Sequence, residues 1–304
     1  MFKQSKKIVF LLLIVTVFSL AGCGSYDFAE TGNDIIQTTD AISIIGNDDI
    51  ILVDTQAAKD FELNHIKGAV NIPLSDIVIS EPVANMMAPK EKVEKALENA
   101  GISNDSVLYI YDDINNMDAA RLWFTLKYYG HEDANVIGGG LKVLLEEGAE
   151  TETGKVETTK GNYTITVENT EMIANLKEVR NQLNEPSDNV RLLDVRSIEE
   201  YNEGTIPTSI HLNYINNNYS DGEYKKTSDI QIMYIDNDIK PENEVIMYCK
   251  TSIRAAQSYL ALYNAGYRNI KIYDGAWLEY CSYSFLPVQL PEGNNVEFNQ
   301  QDNS

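Results

Sequence analysis

Cysteine is scarce in this chain of 304 residues: Cys23, Cys249 and Cys281 are all there is. That number excludes a disulfide framework, so a packed core must hold the fold. Histidine is equally scarce. His65, His131 and His211 are the full set, and none lies at a spacing suited to a metal site or a Cys/His protease dyad. Neither a metal nor any other cofactor is expected. Positive charge is in short supply, with 24 Lys and Arg against 46 Asp and Glu and a formal net charge of −22. Binding a polyanion needs a basic footprint, so nucleic acid is excluded as a partner. The acidity is read as a solubility device suited to an extracytoplasmic protein. Proline (8) and glycine (18) are too few for a disordered or fibrous chain, and an apolar content of 43% can fill the cores of two ordinary domains.

One long apolar run is present, and it stands at the start. Ile8 to Leu20 follows the basic Lys3, Lys6 and Lys7 and is too short for a comfortable membrane span. It ends in Leu20-Ala21-Gly22-Cys23. This resembles the lipobox of bacterial lipoproteins. The resemblance implies a signal peptide over residues 1–22, a lipid such as palmitate on Cys23, and attachment to the outer face of the cell membrane. Residues 23–33 then form a polar spacer.

The remainder is duplicated. Ile51-Leu52-Val53-Asp54-Thr55 matches Arg191-Leu192-Leu193-Asp194-Val195 at an offset of 140, and Phe61 and Ile66 match Tyr201 and Ile206 at the same offset. Tyr111 and Tyr248 stand 137 apart, while Gly130 and Gly139 match Gly266 and Gly275 at 136. An offset that drifts so little marks two copies of one domain. They are placed at 34–150 and 163–290, joined by a linker at 151–162 without apolar periodicity and followed by a polar tail at 291–304. Each copy alternates short apolar strands with helices. In the first, strands are expected at 49–53, 69–72, 107–111 and 134–137, with helices at 57–64, 90–100 and 118–129. Such alternation predicts an α/β fold, a mostly parallel sheet with helices on both faces, in which ligands bind beyond the carboxyl ends of strands.

Cys249 lies at such a place. Glu244-Val245-Ile246-Met247-Tyr248 reads as a buried strand and residues 255–265 as a helix closed by Gly266. Between them runs Cys249-Lys250-Thr251-Ser252-Ile253-Arg254. Backbone N–H groups and the positive end of a helix dipole both favour thiolate over thiol, which makes Cys249 a candidate nucleophile. Arg254 closes the loop as a brace or a source of positive field, and Lys250 offers a point charge to an anionic leaving group. Cys281 is expected to be a buried small hydrophobe, the alternative being a reversible disulfide with Cys249.

Taken in order, these segments resemble the tandem-domain rhodaneses, the thiosulfate and 3-mercaptopyruvate sulfurtransferases. The carrying residues are Leu193-Asp194-Val195-Arg196-Ser197, Glu199-Glu200-Tyr201, Gly204-Thr205-Ile206-Pro207, the Cys249–Arg254 loop, and Ile272-Tyr273-Asp274-Gly275-Ala276-Trp277. In the first half they are Asp54, His65 to Pro73 and the Gly138-Gly139-Gly140 turn. The resemblance implies a catalytic second domain, in which Cys249 carries a sulfane sulfur as a persulfide and Lys250, Thr251, Ser252, Ile253 and Arg254 form the substrate-binding loop. It implies an inactive first domain, with Asp112 at the cysteine position. Asp194 and Arg196 are expected as a structural pair, and Asp274 and Trp277 as lining of the cleft. The partners implied are a small sulfur-donor anion and a thiol or cyanide acceptor. Thiosulfate is preferred to 3-mercaptopyruvate as donor, because the loop lacks the small Gly-Ser-Gly-Val-Thr run of mercaptopyruvate enzymes. Four residues separate Cys249 from Arg254, against five in cysteine phosphatases and arsenate reductases, which argues for sulfur over a tetrahedral oxyanion. The family often has glycine where Ser252 stands, so an altered backbone path is expected there. Glu200 lies where some thiosulfate enzymes carry an arginine, and a carboxylate there would repel thiosulfate. The alternative reading is a non-catalytic binding or redox-sensing lipoprotein.

Overall fold

A computed structural model describes residues 26–291 of the chain. The expected signal peptide, Cys23 and the tail from residue 292 lie outside the described residues. Among the described residues no helix is long and apolar enough to cross a membrane.

The first half is built on β1 (Ile35–Ile36), β2 (Ile51–Asp54), β3 (Val70–Asn71), β4 (Leu108–Tyr111) and β5 (Ala134–Ile137). Its helices longer than about one turn are α1 (Ala58–Leu63), α2 (Lys90–Asn99), α3 (Met117–Tyr128) and α4 (Gly140–Glu146). The second half repeats this with β6 (Ile173–Ala174), β7 (Val190–Asp194), β8 (Ile210–His211), β9 (Glu244–Tyr248) and β10 (Ile270–Tyr273). It carries α5 (Leu176–Asn184), α6 (Ile198–Asn202), α7 (Thr227–Asp236), α8 (Ile253–Asn264) and α9 (Ala276–Ser282). The strand orders are β1-β5-β4-β2-β3 and β6-β10-β9-β7-β8, the same permutation twice, and every pairing within them is parallel. The α/β architecture follows from sequence: the central strands are apolar on both faces because helices cover both.

The seam between the halves is a helix pair. Ten consecutive residues of α3, Ala119 to Tyr128, are buried, since the helix faces its own sheet on one side and α8 on the other. Phe124 meets Tyr259 edge-on at 4.9 Å between centroids, and Trp123 packs on Tyr263 at 5.5 Å. Burying each such ring is worth on the order of 2–3 kcal/mol. A single apolar cluster runs through both halves.

Two stretches differ from expectation. The spacer at 23–33 is docked from Phe28 onward. Phe28 packs edge-on against Tyr267, Ala29 N–H bonds Gly266 O at 3.1 Å, Gly32 N–H bonds Asn264 O at 3.1 Å, and the Arg268 guanidinium holds Glu30 O. One aromatic and a few backbone bonds anchor a segment whose composition reads as solvated. The linker is likewise laid on the first half: Thr151–Glu152 pairs antiparallel with His65–Ile66, and Gly161 N–H bonds Glu98 O at 2.8 Å. Tyr163 and Ile165, assigned above to the second domain, are buried against the first, with the Tyr163 hydroxyl 3.0 Å from His131 Nδ1. Two spaced apolar residues in an extended segment leave no periodicity to reveal which domain they cover.

Candidate active site

Cys249 stands one residue beyond the carboxyl end of β9, the central strand of its sheet. The loop turns back at Ser252, which adopts φ +66° and precedes the first turn of α8. Positive φ is costly for a residue with a Cβ, so a serine where the family often has glycine is held here in a strained conformation. The turn is tied from outside. Ser252 Oγ donates to Asp274 Oδ1 at 2.9 Å, and Thr251 Oγ1 accepts from Asn85 Nδ2 at 3.1 Å. On the other flank the first N–H groups of α9 hold the loop's carbonyls, Trp277 N–H to Cys249 O at 3.0 Å and Leu278 N–H to Lys250 O at 3.2 Å. Ile253 is buried in the core and anchors the start of α8.

Cys249 is only 1% exposed and packs at the edge of the main apolar cluster. The Arg254 guanidinium lies beside it. Burial disfavours that cation, yet the hydrogen bonds to Glu200 and the negative charges of Cys249 and Glu200 outweigh the penalty and hold its pKa above the ordinary arginine value. Glu200 grips Arg254 with both oxygens, at 2.5 and 2.9 Å. The hydrogen bond from Arg254 outweighs burial and lowers the Glu200 carboxyl to about 2. Glu200 is therefore a paired anion that orients Arg254. Lys250 is exposed and, among the described residues, forms no ion pair, which leaves it as the loop's uncommitted cation.

Asp194 and Arg196 pair through Nε–Oδ1 at 2.9 Å and Nη2–Oδ2 at 2.6 Å, and Nη2 also reaches Gly204 O at 2.6 Å. Arg196 lies 4.2 Å above the Trp277 ring, which stacks on Tyr280. Trp277 is thus wedged between neighbours beneath the loop. Asp274 is buried behind the loop instead of lining its mouth, where it receives Ser252 Oγ, the Arg121 guanidinium at 2.8 Å and the Met87 N–H at 2.8 Å. Cys281, expected to be buried, is exposed on α9; the helix is short and turns that residue outward. Sequence reasoning missed Arg121 and Asn85, which reach the loop from the first half. The signal for Arg121 was a lone cation within Ala119-Ala120-Arg121-Leu122-Trp123-Phe124.

The first half carries the matching loop at Asp112. Asn116 takes the Ser252 conformation, with φ +63°, and Leu141 N–H bonds Asp112 O at 2.7 Å as Trp277 N–H bonds Cys249 O. The Asp112 carboxylate fills the cradle itself. Oδ1 accepts from Ile114 and Asn116 N–H at 3.1 and 3.0 Å, and Oδ2 from Asp118 and Ala119 N–H at 2.9 and 3.2 Å. Burial raises its pKa to about 6 against those four donors. Among the described residues no cluster of His, Cys, Asp and Glu could hold a metal ion.

The rhodanese-like domain model matches residues 37–147 and again 175–283. The chain is 27% identical over 254 residues to the 3-mercaptopyruvate sulfurtransferase of Escherichia coli, covering 78% of this chain and 87% of that protein. It is 27% identical over 264 residues to the sulfur carrier protein TtuD of Thermus thermophilus, covering 81% and 90%. The crystal structure of SseA from Escherichia coli, described as a 3-mercaptopyruvate sulfotransferase, superposes with a TM-score of 0.74 at 23% identity, covering 81% of this chain and 99% of that one. The chain belongs to the rhodanese-like family, with two such domains in tandem.

Proposed function

We propose that the protein is a sulfurtransferase whose second domain carries sulfur as a Cys249 persulfide. The observation that carries this reading is the pair of loops. In the first domain the loop after the central strand converges four N–H groups on the Asp112 carboxylate, and at the matching place in the second domain a loop one residue shorter carries Cys249 in the field of Arg254. Donors arranged for an anion stabilise a thiolate and a terminal persulfide sulfur alike.

The Cys249 thiolate attacks the outer sulfur of thiosulfate. The new S–S bond forms as the bond to the sulfonate sulfur breaks, and sulfite leaves with the electron pair. Cyanide or a thiolate then attacks the outer persulfide sulfur, thiocyanate or a new persulfide departs, and the Cys249 thiolate returns. No net oxidant is needed. Thr251, Ser252 and Ile253 shape the cradle, Arg254 supplies fixed positive charge, and Lys250 meets the donor's anionic end. The low exposure of Cys249 favours a compact donor such as thiosulfate, with 3-mercaptopyruvate as the related alternative. The names of the relatives support the chemistry at the level of sulfur transfer.

Cys23 is the proposed site of lipidation, placing the protein on the outer face of the cell membrane; metabolic labelling with palmitate, lost in Cys23→Ala, tests it. For the reaction, the freshly reduced mature protein is mixed with thiosulfate and weighed intact. A gain of about 32 mass units, removed by cyanide with release of thiocyanate and absent in Cys249→Ser, is the expected result. No gain from thiosulfate, 3-mercaptopyruvate or any other sulfane donor overturns the reading.

A further inference from the structure

The domain without a sulfur nucleophile reaches into the loop of the domain that has one. Arg121, on α3 of the first domain, is 0% exposed. Its Nη2 donates to Asp274 Oδ1 at 2.8 Å and to Asn85 O at 3.0 Å. Asp274 Oδ1 also receives Ser252 Oγ, and Asn85 donates to Thr251 Oγ1. One guanidinium thus stands behind both side-chain ties that hold the loop from outside. The hairpin of Val78–Ile79 and Met86–Met87 completes the frame, with Met87 N–H on Asp274 Oδ2.

We propose that Arg121 is a positioning residue for the Cys249 loop: through Asp274 and Asn85 it fixes the left-handed Ser252 turn and with it the path of the loop that carries the sulfur. The physical reason is the turn itself. A serine at φ +66° is held against a conformational cost that glycine would not incur. Something must over-determine the turn, and the Asp274 carboxylate does so only while it is itself pinned. Stability is a poor explanation for Arg121. Its Nε and Nη1 find no hydrogen-bond partner among the described residues, and a buried ion pair with unmet donors contributes little or nothing relative to apolar packing. The inactive domain is thus part of the active site's frame without touching substrate.

The kinetic arm of the test rests on the sulfurtransferase reading; the exchange arm does not. Arg121→Met is compared with wild type by amide hydrogen exchange of the loop peptide and by initial-rate kinetics. We expect loop exchange roughly tenfold faster with the β9 peptide unchanged, and kcat roughly tenfold lower with a smaller change in KM, since displacing the sulfur costs rate while the long, exposed Lys250 side chain still reaches the donor. Adding Ser252→Gly to Arg121→Met should restore most of both, because glycine holds the turn unaided. A residue that merely stabilised the fold would not be rescued that way. If Arg121→Met does not fold, Arg121→Lys retains the charge but cannot span Asp274 and Asn85 together, and the same comparison with Ser252→Gly is made. Unchanged loop exchange, or no recovery with Ser252→Gly, overturns the proposal. If wild type transfers no sulfur, the exchange arm still decides it, and only the sulfurtransferase reading falls.

Discussion

Cys249 and Asp112 occupy equivalent ends of equivalent strands, and their neighbours have diverged with them. Around Asp112 the charged company is acidic. Burial, with Asp112 and Asp113 adding repulsion, raises Asp118 to about 7. Around Cys249 the equivalent of Asp118 is Arg254, which is clamped by Glu200 and is not free to follow a substrate. On the proposed function, that leaves donor recognition to Lys250. An exposed ammonium acting on an anion at contact distance is worth about 1 kcal/mol in water and is screened by salt. Lys250→Ala should therefore raise KM for thiosulfate roughly fivefold at low ionic strength, with little change in kcat and a difference that shrinks as salt is added. Initial rates at two ionic strengths check this. A KM indifferent to the substitution would make Lys250 a solvated side chain with no part in binding.

At the scale of elements, the two domains solve one burial problem differently. Each carries an aspartate at the end of the apolar strand beside its central one, Asp54 on β2 and Asp194 on β7, both fully buried. Asp194 is saturated by Arg196 and by Thr205 Oγ1 at 2.9 Å. Asp54 has Gln56 in place of the arginine, and its Oδ2 finds no hydrogen-bond partner among the described residues. Burial raises its pKa to about 7, against the Tyr111 hydroxyl and the Gln56 N–H. The folded domain thus holds this proton more tightly than the unfolded chain does. The contribution is fully present below the unfolded value of 3.8 and is lost as pH rises through about 7. Asp54→Asn should flatten this loss, gaining on wild type by on the order of 4 kcal/mol between about pH 4 and pH 8. Denaturant melts across that range test it, and parallel curves for the two proteins would contradict it. The sequence made the strands, helices and duplication legible because both halves keep apolar periodicity and the same terminal glycines. It showed Cys249, Lys250 and Arg254 because loop position between strand and helix is local information. It did not show Arg121 or the pairing of Glu200 with Arg254, because both depend on which surfaces meet in space.

The whole molecule has a direction. α8 begins beside Cys249 and ends at Asn264, so its length of roughly 18 Å separates the sulfur loop from the far end. The segment entering from the N-terminus is fastened at that far end, through Phe28 on Tyr267 and Ala29 on Gly266. Composition alone reads these residues as a loose spacer, and only the docking of Phe28 shows otherwise. Cys23 precedes Tyr26 by three residues, a reach of no more than about 11 Å. If Cys23 carries lipid, the bilayer lies against the Asn264–Arg268 side and the loop faces the surrounding medium. A short leash that points the sulfur away from the membrane suits acceptors arriving from solution. The lipidated protein on vesicles and the soluble form beginning at Gly24 should then turn over alike, with cyanide and with a protein-sized thiol acceptor. Comparing kcat/KM for both acceptors in both forms tests the geometry. A vesicle-bound enzyme that keeps its rate with cyanide but loses it with the bulky acceptor would mean that the loop is turned toward the lipid.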